Sequence, residues 1–201
     1  MSVPRSSQRE RRIRADTAWF LAGYAGTASF FALEAANRKP GTASSLEISS
    51  DDHGTTRGIV IAYAVAADLP ILLRRQAVPQ LPRFAGPVGL GVQACGLALR
   101  TWSMRALGDS YTRTLRTEDE QRVVETGPYR WIRHPGYTGS LLTWIGYALT
   151  SRSVPALGVI AALLGRVYQK RITAEETLLA RALPGYTDYS HHTKRLVPFV
   201  W

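Results

Sequence analysis

Residues 55–73 read TTRGIVIAYAVAADLPILL, a run apolar on every side of a helix rather than along one stripe. At 1.5 Å per residue, about twenty such residues cross a hydrocarbon core of about 30 Å. Asp68 and Pro70 lie inside the run. A buried helix of a soluble protein tolerates that pair poorly, whereas a helix facing a membrane cavity can use it. This run sets the expectation for the whole chain: apolar blocks that cross a bilayer, separated by charged connectors.

Working toward the N-terminus, the connector 37–54, NRKPGTASSLEISSDDHG, has turn residues and charges without a period, and reads as loop or short amphipathic pieces. Before it, residues 15–36 form another apolar block of spanning length, with Asp16 and Glu34 at its ends. The basic segment ahead of this block resembles a signal peptide's start, but the apolar stretch is long and lacks a clear small-x-small cleavage site. It is read as a retained helix.

Toward the C-terminus, Arg74 and Arg75 stop the hydrophobic run, and AVPQLPR makes a turn into a third block, 84–107. Its Gly86, Gly89, Gly91, Ala94, Gly96 and Ala98 allow helices to approach closely. Arg100 and Arg105 in its second half are expected to face the interior or snorkel to headgroups. A polar segment, 108–133, includes YTRTLRTEDEQRVVETG, a candidate strand pair or surface hairpin. Blocks 137–150 and 154–168, separated by SRS, are short for spans but suit an antiparallel helical hairpin. The polar helix RITAEETLLARAL continues from the fifth block and ends near Pro184-Gly185. The expected fold is all-α: a single domain over residues 1–201, a multi-pass integral membrane protein with about five transmembrane helices and a C-terminal helical hairpin.

The chain has 201 residues, with 25 Lys and Arg against 15 Asp and Glu, a formal net charge of +10. That balance suits an anionic membrane surface or an acidic ligand. The arginines gather at block ends, as membrane proteins place them, which argues against nucleic acid as a partner. Tryptophans 19, 102, 131, 144 and 201 suit interfacial anchoring. Cys95, the single cysteine, excludes an intrachain disulfide and a thiolate metal cluster, and is expected between helices. The histidines at 53, 134, 191 and 192 have no companions at metal-ligand spacing, so no metal site is expected.

Chemistry concentrates in two places. GPYRWIRHPGYTG, residues 127–139, places Arg130, Arg133 and His134 before a helical start at Pro135, where free N–H groups suit a carboxylate. In RITAEE, residues 171–176, Arg171 and Glu175 are four apart and project from one side of a helix, with Glu176 beside them. A guanidinium clamps a carboxylate and a carboxylate accepts from an amine, so the two clusters together suit a zwitterionic, amino-acid-like group. Tyr186, Tyr189 and the terminal LVPFVW offer a slot for a nucleoside. Neither GxGxxG after a strand nor a P-loop is present.

Residues 97–201 resemble the isoprenylcysteine carboxyl methyltransferase family, within the wider membrane phospholipid methyltransferase-like group. The likeness runs through LRTWSMRALGDSYTRTL, VVETGPYRWIRHPGYTGSLLTWIGYAL and RITAEETLLARALPGYTDYSHHTKRLVPF. The resemblance implies that the catalytic region, about 97–201, encloses S-adenosyl-L-methionine near the cytosolic face while a lipophilic or amphipathic acceptor arrives from the bilayer. It implies cofactor contacts at Gly127, Pro128, Tyr129, His134, Pro135, Tyr137, Glu175, Tyr186 and Tyr189, with Arg133, Arg171 and Glu176 near the reaction centre. A carboxylate acceptor is expected first, with an amine or a phenol left open, on a small molecule rather than an obligate protein partner. An RHPxYxG stretch also occurs in membrane sterol reductases, so a reduced-nicotinamide reductase is the alternative, and a non-catalytic scaffold a third reading. The arginines before residue 15 would hold the N-terminus in the cytosol, which conflicts with five crossings and a cytosolic C-terminal site. Either the N-terminus is external or one block does not cross.

Overall fold

The computed structural model describes residues 5–37, 54–74, 76–108 and 123–197. Among them every regular element is helical: α1 (Arg5–Ala36), α2 (Thr55–Leu73), α3 (Ala85–Leu107), a 3-10 turn (Gly127–Arg130), α4 (Pro135–Ser151), α5 (Val154–Ala182) and α6 (Tyr186–His192). The connector 38–53, most of the candidate hairpin at 111–127 and the last four residues of the LVPFVW slot lie outside the described residues.

The helix ends follow local chemistry. Pro135 opens α4, where its missing N–H costs nothing. Ser153 caps α5 by accepting from the Ala156 N–H at 3.3 Å. Between these helices Arg152 adopts the left-handed region, φ 60°, and its guanidinium donates to the Leu81 carbonyl and to Asp16, the latter at 2.8 Å. The α4–α5 turn is thereby tied to α1 and to the α2–α3 connection. Gly185, φ 83°, makes the turn into α6.

Cross-helix contacts fix the direction of each element. Gly23 faces Thr150 and Phe30 faces Trp144, so α1 runs antiparallel to α4. Thr55 and Thr56 reach Arg171 and Tyr63 reaches Tyr168, so α2 starts beside the second half of α5 and runs antiparallel to it. The five long helices alternate in direction, which puts the start of α1 at the opposite end of the bundle from the start of α4. Helix α4 is the central element. It meets α3 along a seam of four glycines, Gly89 and Gly96 on one helix and Gly146 and Gly139 on the other. A Cβ built on Gly96 would lie 2.5 Å from the Thr143 nitrogen, and one on Gly146 would lie 2.5 Å from the Gln93 nitrogen. Only hydrogen at these positions permits backbone-to-backbone packing.

Helix α2 is long and apolar enough to cross a membrane, and only 22% of its spanning window is buried within the protein. It is the one helix among the described residues that meets that criterion. Its Ile61 and Leu72 are 62% and 66% exposed, and Leu21, Phe31, Val88 and Val159 are similarly exposed on other helices. An apolar exterior of this kind suits lipid contact.

Two expectations are corrected. Cys95 lies exposed on α3 rather than between helices. The seam runs through Gly89 and Gly96, and a residue adjacent to Gly96 is turned about 100° away around the helix. Trp144 is fully buried, stacked on Tyr63 at 5.1 Å, and is a core residue rather than an interfacial anchor. The polar helix continues the fifth block as expected, and the two form one helix, α5, since nothing between Tyr168 and Arg171 breaks it.

Candidate functional site

One end of the bundle gathers the start of α4, the second half of α5 and the segment through α6. Every residue singled out above as a cofactor or catalytic candidate lies here. The centre of the arrangement is Tyr137, in the first turn of α4. Its hydroxyl donates to Glu175 Oε2 at 2.8 Å and accepts from Arg171 Nε at 3.3 Å, so one phenol links the two charged residues of α5. The Tyr137 ring lies 5.3 Å from Tyr168 and 5.8 Å from His134. Arg171 is 3% exposed, and its Nη1 also donates to Thr55 Oγ1 at 2.9 Å and Thr56 Oγ1 at 3.2 Å. A buried guanidinium held this way is a fixed positive centre rather than the surface ion pair that its i, i+4 spacing to Glu175 suggests.

Glu176, the next residue, points into a cationic cage. Arg133 Nε is 2.9 Å from its Oε1, His134 Nε2 3.2 Å from the same oxygen, and Arg195 Nη2 2.9 Å from Oε2. Burial alone would push its carboxyl up, but hydrogen bonds from His134 and Arg133 and their charges outweigh that and lower it to about 2. Arg133 also fastens the end of α6 and the chain just beyond it, because its Nη1 donates to the carbonyls of Ser190, at 2.9 Å, and Thr193. Backbone bonds complete the fastening, from Arg133 N to Lys194 O (2.7 Å) and from His134 N to Arg195 O (3.0 Å). Thr138 Oγ1 also donates to the Leu196 carbonyl at 2.8 Å. The C-terminal segment is thus strapped across the start of α4.

On the other side of this strap lies an aromatic cluster. The Tyr189 hydroxyl donates to the Tyr129 carbonyl at 2.6 Å, and the Tyr186 and Tyr189 rings are 5.9 Å apart. Burial, partly offset by the Thr193 hydrogen bond and Arg133, pushes the Tyr189 phenol up to about 12. Burial raises Tyr186 as well, reinforced by Glu176 and Glu175, and its hydroxyl is buried with no hydrogen-bond partner. Gly127, φ 59°, opens the 3-10 turn against Trp102; Pro128 and Tyr129 in that turn are buried. His134 occupies the cap position of α4 and Pro135 begins the helix.

Several neighbours escaped the sequence reading. Arg195, the third partner of Glu176, sits in what reads as a polar tail. Thr55 and Thr56 carry no motif, and Glu34 marks only a block end. Their roles come from contacts between separate elements, which local pattern does not encode. His191 and His192 are exposed, with His192 3.4 Å from Glu125. Among the described residues no group of three or more His, Cys, Asp or Glu side chains is placed to hold a metal. The arrangement offers one fixed cation, one carboxylate beside it and an unpartnered phenol in buried surroundings, which suits aligning a charged ligand rather than activating a metal-bound one.

A model of the isoprenylcysteine carboxyl methyltransferase family matches residues 89–181, the stretch containing the seam and both charged clusters. Over this segment the chain is similar to the isoprenylcysteine carboxyl methyltransferase family. A probable protein-S-isoprenylcysteine O-methyltransferase of Oryza sativa subsp. indica is 29% identical over 120 residues, covering 58% of this chain and 63% of the relative. The protein-S-isoprenylcysteine O-methyltransferase of Saccharomyces cerevisiae is 30% identical over 108 residues, covering 52% of this chain and 45% of the relative. The chain therefore spans less than two thirds of the length of these relatives. The solved structure of a eukaryotic intramembrane Ras methyltransferase, isoprenylcysteine carboxyl methyltransferase, is similar in fold. Its TM-score is 0.56 at 20% identity, covering 77% of this chain and 55% of the other.

Proposed function

We propose that the protein transfers a methyl group from S-adenosylmethionine to the carboxylate of a lipophilic acceptor, with an S-isoprenylated cysteine as the first candidate. The observation that carries this reading is the Arg171–Tyr137–Glu175 relay, which holds a cation and a carboxylate at one hydroxyl in a buried position. The names of the family and of the relatives support the methyl chemistry and suggest the isoprenylcysteine acceptor.

The residues present fit the cofactor. Glu175 matches its positive charge, the N–H groups at the start of α4 match its carboxylate, and the orphaned Tyr186 hydroxyl beside the tyrosine cluster matches the polar edge of its nucleoside. When bound, S-adenosylmethionine supplies an electrophilic methyl group on a sulfonium. Arg171 holds the acceptor carboxylate, already ionised, so no general base is required. Tyr137 keeps Arg171 and Glu175 in fixed relation, and the Glu176 cage positions Arg133 and the strap. The rate gain comes from alignment and exclusion of water.

In this reading the five long helices cross the bilayer, the polar second half of α5 projects beyond it, and the site end faces the cytosol. The alternation of the helices then puts the start of α1 on the external side, despite its arginines. The test is calorimetric titration of the detergent-purified protein with S-adenosylhomocysteine, with NADPH in parallel. It is followed by transfer of labelled methyl to S-farnesylcysteine, scored as a base-labile ester. One-site binding of S-adenosylhomocysteine alone and ester formation are expected. Binding of NADPH alone, or of neither ligand to folded protein, would overturn the proposal.

A further inference from the structure

Helix α1 lies outside the residues that match the family, yet it reaches the site through one side chain. Glu34, two residues from the end of α1, accepts from Arg100 Nε at 2.8 Å and Nη2 at 2.7 Å, both ends of the pair being largely shielded (12% and 18% exposed). Arg100 of α3 passes the contact on: its Nη1 donates to the Gly136 carbonyl at 3.0 Å. Gly136 stands directly between Pro135 and Tyr137, in the first turn of α4. A Cβ at Gly136 would meet Arg100 Nη1 at 3.0 Å, so the missing side chain is what lets the guanidinium lie along this turn. The same guanidinium approaches the Phe30 ring at 5.8 Å, which further limits its freedom.

Resting on the reading above, we infer that Glu34 is a positioning residue: by fixing Arg100 against the Gly136 carbonyl it sets the first turn of α4, and with it Tyr137. A guanidinium in this setting needs its carboxylate, since breaking a shielded pair leaves a charge that seeks other partners. Without Glu34, Arg100 loses the carboxylate that fixes it against the turn. The bond most sensitive to such a shift is the longer one of the relay, Tyr137 to Arg171 at 3.3 Å, rather than the 2.8 Å bond to Glu175. Loss of Glu34 therefore misaligns the acceptor anchor more than the carboxylate beside it.

The experiment compares wild type, Glu34→Ala and Glu34→Gln in detergent by three readouts. These are hydrogen exchange of the amides of residues 136–141 without ligand, S-adenosylhomocysteine affinity, and kcat for S-farnesylcysteine. For Glu34→Ala we expect faster exchange confined to the start of α4, kcat lowered about tenfold and affinity changed less than about threefold. Glu34→Gln keeps an acceptor oxygen for Arg100 and recovers part of both effects; it also supplies the answer if the alanine variant does not fold. Unchanged exchange and kcat in a folded variant would overturn the inference, as would an equal loss of kcat and affinity. Because exchange is read without cofactor or acceptor, Glu34 is tested even if the wild type binds no S-adenosylhomocysteine, an outcome that would sink the methyltransferase reading alone.

Discussion

Helix α4 is held in two different ways along its length. Beyond its first turn it presses against α3 through Gly139 and Gly146, backbone on backbone, with no charge involved. Its first turn is held by directional bonds: Arg100 on Gly136, Glu175 and Arg171 on Tyr137, Glu176 on His134. Close packing is insensitive to pH and intolerant of volume, whereas a hydrogen-bonded ionic network tolerates volume better and depends on charge. The seam makes α4 a rigid mount. The polar end, carried on that mount, is where the chemistry is poised.

The largest effect is expected where the mount itself is broken. Gly96→Ala places a Cβ 2.5 Å from the Thr143 nitrogen and 2.6 Å from the Gly139 carbonyl, backbone atoms that cannot yield without separating the helices. A destabilisation of about 3 kcal/mol or outright failure to fold follows. Gly91, on the same helix, has nothing within 4 Å of its added Cβ, and Gly91→Ala is expected to be neutral or to stabilise by up to about 1 kcal/mol through helix propensity. Thermal unfolding of both variants in detergent checks the contrast. Similar midpoints for the two would mean that the seam does not hold α4.

This contrast also explains what was legible beforehand. The helices were readable because each apolar run is bounded by arginine, proline or glycine, and the candidate site because its charged and aromatic residues crowd two short stretches. Which face of a helix looks inward was not readable. Lipid and protein interior are both apolar, so hydrophobicity cannot separate them; hence Cys95 was expected inside and Trp144 at an interface, and both are reversed. The seam glycines were recognisable as a group, but Gly91 among them faces open space. Arg195, Thr55 and Glu34 join the polar end only through topology, and no local pattern marks them.

A smaller effect, confined to the polar end, is expected from Arg171→Ala. The fixed cation disappears while the seam is untouched. Turnover with S-farnesylcysteine should fall about 100-fold, equivalent to about 2.7 kcal/mol of transition-state stabilisation, with S-adenosylhomocysteine affinity held within about threefold. Parallel loss of affinity and turnover would instead make Arg171 part of the cofactor contact or of the fold, through Thr55 and Thr56.

The smallest expected effect separates the two ways of holding α4 by pH. Glu176 has its carboxyl lowered from the ordinary 4.5 to about 2 within the folded protein. A lowered carboxylate contributes stability that is fully present above its unfolded value, and that contribution is lost as pH falls toward the folded one. The Arg133, His134 and Arg195 contacts should therefore hold down to about pH 4.5 and weaken between about 4.5 and 2, while the glycine seam stays indifferent. Comparing thermal midpoints of wild type and Glu176→Gln across this range removes the titration of other carboxylates common to both. The difference should be constant above about pH 4.5, shrink as acid is added and vanish near 2. A difference that persists unchanged into acid would mean that Glu176 acts through shape rather than charge, and the polar end would then be held in the same manner as the seam.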